Sequence, residues 1–305
     1  MGMLRKSLVV LFIACLTSLS FFSNSWAVEE TSTSSPGTPE TEVVTLGANL
    51  SESQQNTMFD VFGVDKDDPK IKILKVTNQE ERQYLKGLVP DAQIGSKAIS
   101  CVYVKVQEEG SGINVKVKNI TFVTEQAYAN ALVTAKIKDA QVFAAAPFPV
   151  SGTAALTGLF KAYEEATGEE IPEEAKKVAT EELVTTSEIG KETGQEKGVS
   201  ELISRVKERV VEEGLDDPEE IEQVVREIAK EMNIELSEDQ IDQIVALMEK
   251  IAKLDLDINL LQGQLEGIRS KIKGIFGGKN GSSSWDDIVD FFVGLWGKIR
   301  SFFGK

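Results

Sequence analysis

Hydrophobic and polar positions change their spacing about halfway along the chain. Before residue 150, short runs alternate between apolar and polar residues, and helical patterns separate these runs. After residue 168, apolar residues recur every three or four positions. Alternation is typical of strands with one buried face, and the wider spacing is typical of amphipathic helices. The pattern therefore predicts an α+β chain: a mixed α/β domain over 43–168, then a helical domain over 169–276.

The first half is predicted to follow the order β-α-β-α-β-β-α-β-α. Helix starts are marked by the capping box of Ser51 and Gln54, by Thr77 or Asn78, and by Thr124. The strands are predicted at 43–46, 71–76, 98–106, 113–120 and 140–146. The loop 108–112 contains two glycines and has the length of a hairpin loop, which predicts direct pairing of the third and fourth strands. Helices crossing between strands, together with a hairpin, predict a mixed sheet with helices packed against it.

The least polar helix of the mature chain is predicted within 147–168. Its apolar residues cover much of its circumference, which is typical of a buried helix. We predict that it is the core element shared by the two halves.

The second half is predicted to be a bundle or array of amphipathic helices with solvated charged faces. One helix is predicted from Pro172 to Leu183, and the polar, glycine-containing stretch 185–198 is predicted to interrupt the helices. Further helices are predicted from Val199 and from Pro218, and another after Ser237.

The beginning of the chain has the features of an export signal. Arg5 and Lys6 precede an apolar run over 8–19, and small residues follow it, so 1–27 is predicted to be a signal peptide. The segment 28–42 is rich in Ser, Thr and Pro and is predicted to be a disordered linker. We expect an extracytoplasmic protein, secreted or associated with the membrane surface.

The end of the chain is predicted to carry a tethered amphipathic helix. The segment 277–284 is rich in glycine and serine and is predicted to be a flexible linker. On a helical wheel, the apolar and aromatic residues of 285–305 lie on one half of the circumference. The predicted apolar face consists of Trp285, Ile288, Val289, Phe292, Leu295, Trp296, Ile299, Phe302 and Phe303. Such a face suits a membrane surface or an envelope partner protein. The alternative is that it docks onto the protein's own helical half.

Composition removes several functional classes. The formal net charge is −16, and nucleic-acid binding, which needs a basic surface, is not expected. The chain has no histidine, which excludes histidine bases, Ser-His or Cys-His nucleophiles and histidine-ligated zinc. Cys101 is the only cysteine after the signal peptide, so the mature chain has no internal disulfide. No cofactor and no catalytic residue are predicted.

A weak calcium candidate lies near the end of the helical half. Asp255, Asp257, Asn259 and Glu266 occupy positions 1, 3, 5 and 12 of an EF-hand loop. Leu260, however, stands where that loop needs glycine. The favoured alternative is that Asp257 caps the next helix.

A second candidate is the start of the predicted buried helix. Ser151, Gly152 and Thr153 form a small-residue turn before a helix N-terminus, which can bind an anion through free N–H groups. The favoured alternative is a helix start whose groups are already satisfied and packed closely on the sheet.

Two further side chains are interpreted as structural. Ser204 and Lys207 have the spacing of a Ser-Lys nucleophile pair, but we predict that they lie on a solvated helix face. Cys101 lies in the middle of a predicted strand and is interpreted as a small buried hydrophobe.

Long stretches of the chain resemble a known family. VTLGANLSESQ near the start, DAQIGSKAIS before the predicted hairpin, and APFPVSGTAALTGLFKAYE followed by ELVTTSEIG are similar to the YpuA-like proteins. That family comprises exported proteins of Gram-positive bacteria and is a domain of unknown function. The resemblance implies an extracytoplasmic protein and implies no activity, catalytic residue or ligand.

Two functional hypotheses remain. The first is a non-enzymatic binding or scaffolding protein of the cell envelope, held near the membrane by 285–305, with an unknown small-molecule ligand. The alternative is an extracytoplasmic hydrolase that uses carboxylates on cell-wall polymer. A cleft lined by two acids about 5 to 10 Å apart would favour the hydrolase.

Overall fold

The computed structural model describes residues 41–259 and 261–263. The predicted signal peptide 1–27, nearly all of the linker 28–42, the linker 277–284 and the amphipathic helix 285–305 lie outside the described residues. Among the residues that are described, no helix is long and apolar enough to span a membrane.

The described chain contains one mixed sheet of five strands, which confirms the predicted α+β class. The order across the sheet is β2-β1-β3-β5-β4. β1 and β2 are parallel, as are β4 and β5, and β3 is antiparallel to both of its neighbours. The strands are β1 Glu42–Gly47, β2 Ile71–Val76, β3 Cys101–Val106, β4 Ile113–Ile120 and β5 Ala140–Val150.

The predicted hairpin between β3 and β4 is wrong, because β5 lies between these strands. The connecting loop crosses the start of β5: the Gln107 N–H donates to the Asp139 carbonyl oxygen (2.6 Å) and the Ala140 N–H to the Gly112 carbonyl oxygen (3.1 Å). β5 is apolar on both faces over most of its length, as a central strand requires. β4 carries exposed Lys116 and Lys118, which suit an edge strand.

Helix α1, Glu52–Phe62, covers one face of the sheet. The predicted capping box is present, with the Ser51 side chain accepting from the Gln54 N–H and the Gln54 side chain accepting from the Ser51 N–H. Met58 and Phe59 are buried in a cluster with Leu46 and neighbouring strand residues.

Helices α4, Glu125–Thr134, and α5, Thr153–Thr167, cover the opposite face. The shorter helices α2, Asn78–Leu85, and α3, Asp91–Ile94, lie beside them. α5 is buried over most of its length, and the absence of a side chain at Gly158 lets it approach Thr45 of β1 closely. The main contact with the helical half, however, is made by α4. The prediction that α5 is the core element shared by the two halves is wrong in this respect.

The helical half contains α6 Glu173–Thr193, α7 Glu196–Glu213, α8 Pro218–Glu231 and α9 Glu238–Ala252. The predicted interruption after Leu183 is wrong, because α6 continues for ten more residues. The polar residues Thr186 and Ser187 are buried inside this packing rather than exposed in a loop. α6 ends at Gly194, which has the left-handed conformation of a helix end.

A continuous cluster of buried apolar side chains runs from one face of the sheet through α4 and α5 to α9. All described residues belong to one compact unit. The division into a mixed α/β domain over 43–168 and a helical domain over 169–276 stays a prediction.

Candidate functional site

Two clefts adjoin where β5 ends and α5 begins, and we call them together the junction site. The larger cleft has a volume of about 520 Å³ and is lined by Thr121, Phe122, Pro149, Val150, Ser151 and Lys191. The smaller cleft has a volume of about 160 Å³ and is lined by Glu81, Ile94, Lys97, Ile99, Ser100, Val150, Ser151, Gly152 and Ala154. Val150 and Ser151 belong to both clefts, so the two spaces meet at this turn.

The turn is held in place by its backbone. Val150 pairs with Ile120 at the end of β4, and its carbonyl oxygen accepts from the Thr121 N–H (2.9 Å) and from the Thr121 hydroxyl (3.0 Å). The Tyr128 hydroxyl donates to the Gly152 carbonyl oxygen at 2.5 Å. These bonds fix the wall shared by the two clefts.

Gly152 is required at this turn for two reasons. Its φ of 94° is a left-handed conformation that other residues adopt only with strain. A Cβ atom there would also lie 2.4 Å from a methyl carbon of Ile120 and 2.8 Å from the Tyr128 hydroxyl oxygen.

A buried carboxylate lies at the wall of the smaller cleft. Glu81 on α2 is 2% exposed, and its two oxygens accept from the Thr153 hydroxyl (3.1 Å) and from the Asn78 amide (3.2 Å). Burial raises the pKa of the Glu81 carboxyl, and the two hydrogen bonds offset this effect only in part. Both partners are uncharged, and no described lysine or arginine forms an ion pair with Glu81.

The residues predicted as an anion-binding helix start are brought to this site. Ser151 is half-buried and its hydroxyl lies 3.3 Å from the Thr153 hydroxyl, while Gly152 and Thr153 are buried. The Thr153 hydroxyl is already used by the carboxylate of Glu81. Binding of an external anion at these residues stays a prediction.

Two lysines add positive charge to the junction site. Lys97 lines the smaller cleft and Lys191 lines the larger one, and both are exposed. Within the described part of the chain, neither forms an ion pair. Glu81 and both lysines are not predicted from the sequence, because isolated charged residues on separate elements carry no spacing signal.

A second polar cluster is buried between α4, α6 and α7. The Lys207 ammonium donates to the Glu182 carboxylate (2.8 Å), the Asn130 carbonyl oxygen (2.8 Å) and the Thr134 hydroxyl (3.0 Å). Lys207 and Glu182 are both 0% exposed. Burial lowers the pKa of Lys207, and Glu182 acts against this.

The interpretation of Ser204 and Lys207 as a solvated face is therefore wrong. α7 packs against α4 and α6 as well as against α8 and α9, so its polar side is covered too. Lys207 follows the core residue Ile203 by four positions, and that spacing was a signal for burial. All three ammonium protons of Lys207 are engaged, so it does not act as a base for Ser204.

The calcium candidate is described in part. The Asp257 carboxylate accepts from the Asn259 N–H (2.9 Å), so Asp257 begins the next helical turn, as the favoured alternative predicted. Asp255 has a φ of 50°, and Glu266 lies outside the described residues. Across the described ranges, no group of three His, Cys, Asp or Glu is arranged to hold a metal ion.

Cys101 is a small buried hydrophobe, as predicted. Its side chain lies beneath α1 in the cluster with Leu46 and Met58. Burial raises the pKa of the Cys101 thiol to about 12, far above neutral pH. The thiol therefore has almost no nucleophilic thiolate form.

Comparisons with known proteins give one family and one relative. Residues 46–268 match the family described as "Protein of unknown function (DUF1002)". The chain is 42% identical over 261 residues to "Uncharacterized protein YpuA" of Bacillus subtilis (strain 168), and this covers 86% of the chain and 89% of that protein. No solved structure matches the chain. The matched range includes the junction site and the buried cluster around Lys207.

Proposed function

The chain belongs to the DUF1002 family of proteins of unknown function, and we propose that it is a non-enzymatic binding protein of the cell envelope whose ligand site is the junction site. Residues 1–27 direct its export in this proposal. Residues 285–305 hold it at the membrane surface or on an envelope partner.

The lining of the junction site is the observation that carries the proposal. Preformed concave sites with a few polar groups at fixed positions are typical of small-ligand binding. The larger cleft has the volume of such a site, and the smaller cleft can receive a terminal group. The polar residues that line the junction site carry hydroxyl groups, two ammonium groups and one carboxylate, and these groups bind a ligand by hydrogen bonds and charge.

The alternative of a carboxylate hydrolase has less support. That chemistry needs two acids flanking the scissile bond, and Glu81 is the one acidic side chain among the described residues that line the two clefts. The buried positions of Cys101 and Lys207 likewise give these residues no access to a substrate.

The distribution of charge supports envelope binding through the α/β half. Most of the acidic excess lies after residue 150, whereas 41–150 carries nearly equal numbers of acidic and basic side chains. This half can approach an anionic surface with little general repulsion.

We expect the mature chain, 28–305, to sediment with isolated cell walls or membranes of Bacillus subtilis without releasing soluble fragments. Ser151 lines both clefts, so the larger side chain of Ser151→Trp would occupy the space where they meet. This variant is expected to weaken sedimentation at least tenfold. Thr57→Trp, at an exposed position on α1, is the matched control and should bind as the parent does.

Two outcomes would contradict the proposal. Soluble wall fragments that accumulate with time would identify a hydrolase. Equal binding by Ser151→Trp and Thr57→Trp would place the ligand elsewhere.

The membrane part of the proposal has its own test in the full chain. The double variant Phe292→Asp, Trp296→Asp removes apolar character from the predicted face. Its sedimentation with lipid vesicles is expected to disappear. Asp287→Asn, on the predicted polar face, is the control. Unchanged sedimentation of the double variant would refute membrane attachment through 285–305.

A further inference from the structure

We propose that the junction site binds a small zwitterion, with an ammonium group against Glu81 and a phosphate or carboxylate group near Lys97 and Lys191. This inference rests on the proposed binding function and names its ligand class.

The two most deeply buried carboxylates of the described chain differ in their partners. Glu182 is 0% exposed and forms an ion pair with Lys207 at 2.8 Å. Glu81 is 2% exposed and accepts only from the Thr153 hydroxyl and the Asn78 amide. Buried charges are normally paired, because an unpaired charge is costly in a low-dielectric interior. Glu81 faces a cleft, so a cationic group of a ligand can supply the partner that the protein does not.

The donor set favours an organic ammonium over a divalent metal ion. Calcium needs six to eight oxygen ligands and usually several carboxylates. The smaller cleft has one carboxylate among its lining residues, that of Glu81, and Ser100 and Ser151 also line it. An ammonium group has three N–H donors, which one carboxylate and two hydroxyls can satisfy.

The other end of the ligand is specified by the lysines. Lys97 lines the same cleft as Glu81, and Lys191 lines the adjoining cleft across Ser151. Neither lysine has an ion-pair partner within the described ranges. A ligand anion that reaches either lysine gains a charge-assisted hydrogen bond, while the Glu81 carboxylate disfavours an anion in the smaller cleft itself.

The volumes limit the ligand's size. About 160 Å³ is well below the roughly 300 Å³ at which cavities begin to hold a drug-sized molecule. The smaller cleft therefore takes a headgroup, and the remainder of the ligand extends past Ser151 into the larger cleft. Both a lipid headgroup and a small soluble molecule that carries an ammonium and a phosphate group have this chemistry.

Calorimetric titration of the mature full chain tests the ligand class with three probes. Glycerophosphoethanolamine carries both charges, ethanolamine carries the cation, and glycerol phosphate carries the anion. We expect the zwitterion to bind at least tenfold more tightly than either single-charge probe. Equal affinity for glycerol phosphate would show an anion site, and binding of none of the three would overturn the proposal.

Substitutions locate the two ends of the ligand. Glu81→Gln keeps the shape of the side chain and is expected to weaken zwitterion binding at least tenfold without changing the affinity for glycerol phosphate. Lys191→Gln should weaken binding of both phosphate probes. Lys177→Gln, another exposed lysine on α6, is the matched control. Unchanged binding in both Glu81→Gln and Lys191→Gln would overturn the proposal.

Vesicles distinguish the two sources. If the ligand is a lipid headgroup, Glu81→Gln should reduce sedimentation with phosphatidylethanolamine vesicles but not with phosphatidylglycerol vesicles. If it is a soluble molecule, only the titration should respond. Suppose that none of the three probes binds but Ser151→Trp still weakens sedimentation with envelope fractions. That outcome would leave the proposed function intact and refute the ligand class.

Discussion

Replacing Lys207 with methionine removes one partner of the buried ion pair between α6 and α7. Methionine fills a similar volume, so the change mainly removes the charge and its three hydrogen bonds. Glu182 would then keep one hydrogen bond, from the Thr134 hydroxyl at 2.5 Å, and no charged partner. It must either stay ionised inside the protein or take up a proton.

The magnitude follows from the cost of that proton. Protonating a carboxyl of ordinary pKa, about 4.3, costs about 3.7 kcal/mol at pH 7, at 1.36 kcal/mol for each pH unit. Breaking a buried ion pair typically costs about 3–5 kcal/mol. We therefore expect Lys207→Met to lower the free energy of unfolding by about 4 kcal/mol at pH 7.

Urea unfolding of residues 28–305, followed by circular dichroism, measures this loss. The double variant Lys207→Met, Glu182→Leu should recover most of the loss, because no charge is then left buried. Lys197→Met, at an exposed position of the same helix, is the control and should have no measurable effect. A loss below about 1 kcal/mol at pH 7 would refute the buried pair.

Three further predictions test the junction site and the core, two by the same unfolding assay and one by thiol labelling. Without ligand, Glu81→Gln should raise the free energy of unfolding at pH 7, because burial raises the pKa of the Glu81 carboxyl. The gain should fade as the pH falls to the ordinary pKa of a glutamate, and a gain independent of pH would contradict this. Gly152→Ala should lower the free energy of unfolding by about 2–4 kcal/mol, because the position has a positive φ and the added Cβ would contact Ile120. Gly168→Ala is the control: it also has a positive φ but has open space around it, so it should cost only about 1–2 kcal/mol. Cys101 should resist an aromatic disulfide reagent in the folded protein and react once urea unfolds it, and fast labelling without urea would contradict its burial.

Local patterns predicted the elements where one chemical signal was sufficient. The alternation in IKILKV predicted β2 at its observed bounds. The capping box of Ser51 predicted the start of α1, and a cap at Thr77 or Asn78 predicted the start of α2. In each case the signal comes from neighbouring residues and does not depend on distant packing.

Long-range arrangement was where the predictions were wrong. The loop 108–112 fits a hairpin, but it also spans the roughly 9–10 Å needed to pass one inserted strand, and the apolar β5 occupies the central position. The polar residues in the second half of α6 suggest a loop, and only the folded structure shows that Thr186 and Ser187 are buried. Lys207 likewise suggests a solvated face until the carboxylate of Glu182 is known to lie beside it.

The junction site was predicted in part. The turn Ser151–Gly152–Thr153 was identified from its small residues before a helix. Glu81, Lys97 and Lys191 come from α2, from the segment before β3 and from α6, and only the folded chain brings them together. No local pattern in the sequence contains that information.

Hydrogen–deuterium exchange of residues 28–305, with and without isolated envelope material, tests the proposed binding at the junction site most directly. Peptides covering 94–100 and 147–154 should exchange more slowly when the envelope material is bound, while α8 and α9 should be unaffected. Ser151→Trp should abolish the protection. Protection confined to the helical half, or protection that persists in Ser151→Trp, would contradict the assignment of the junction site as the binding site.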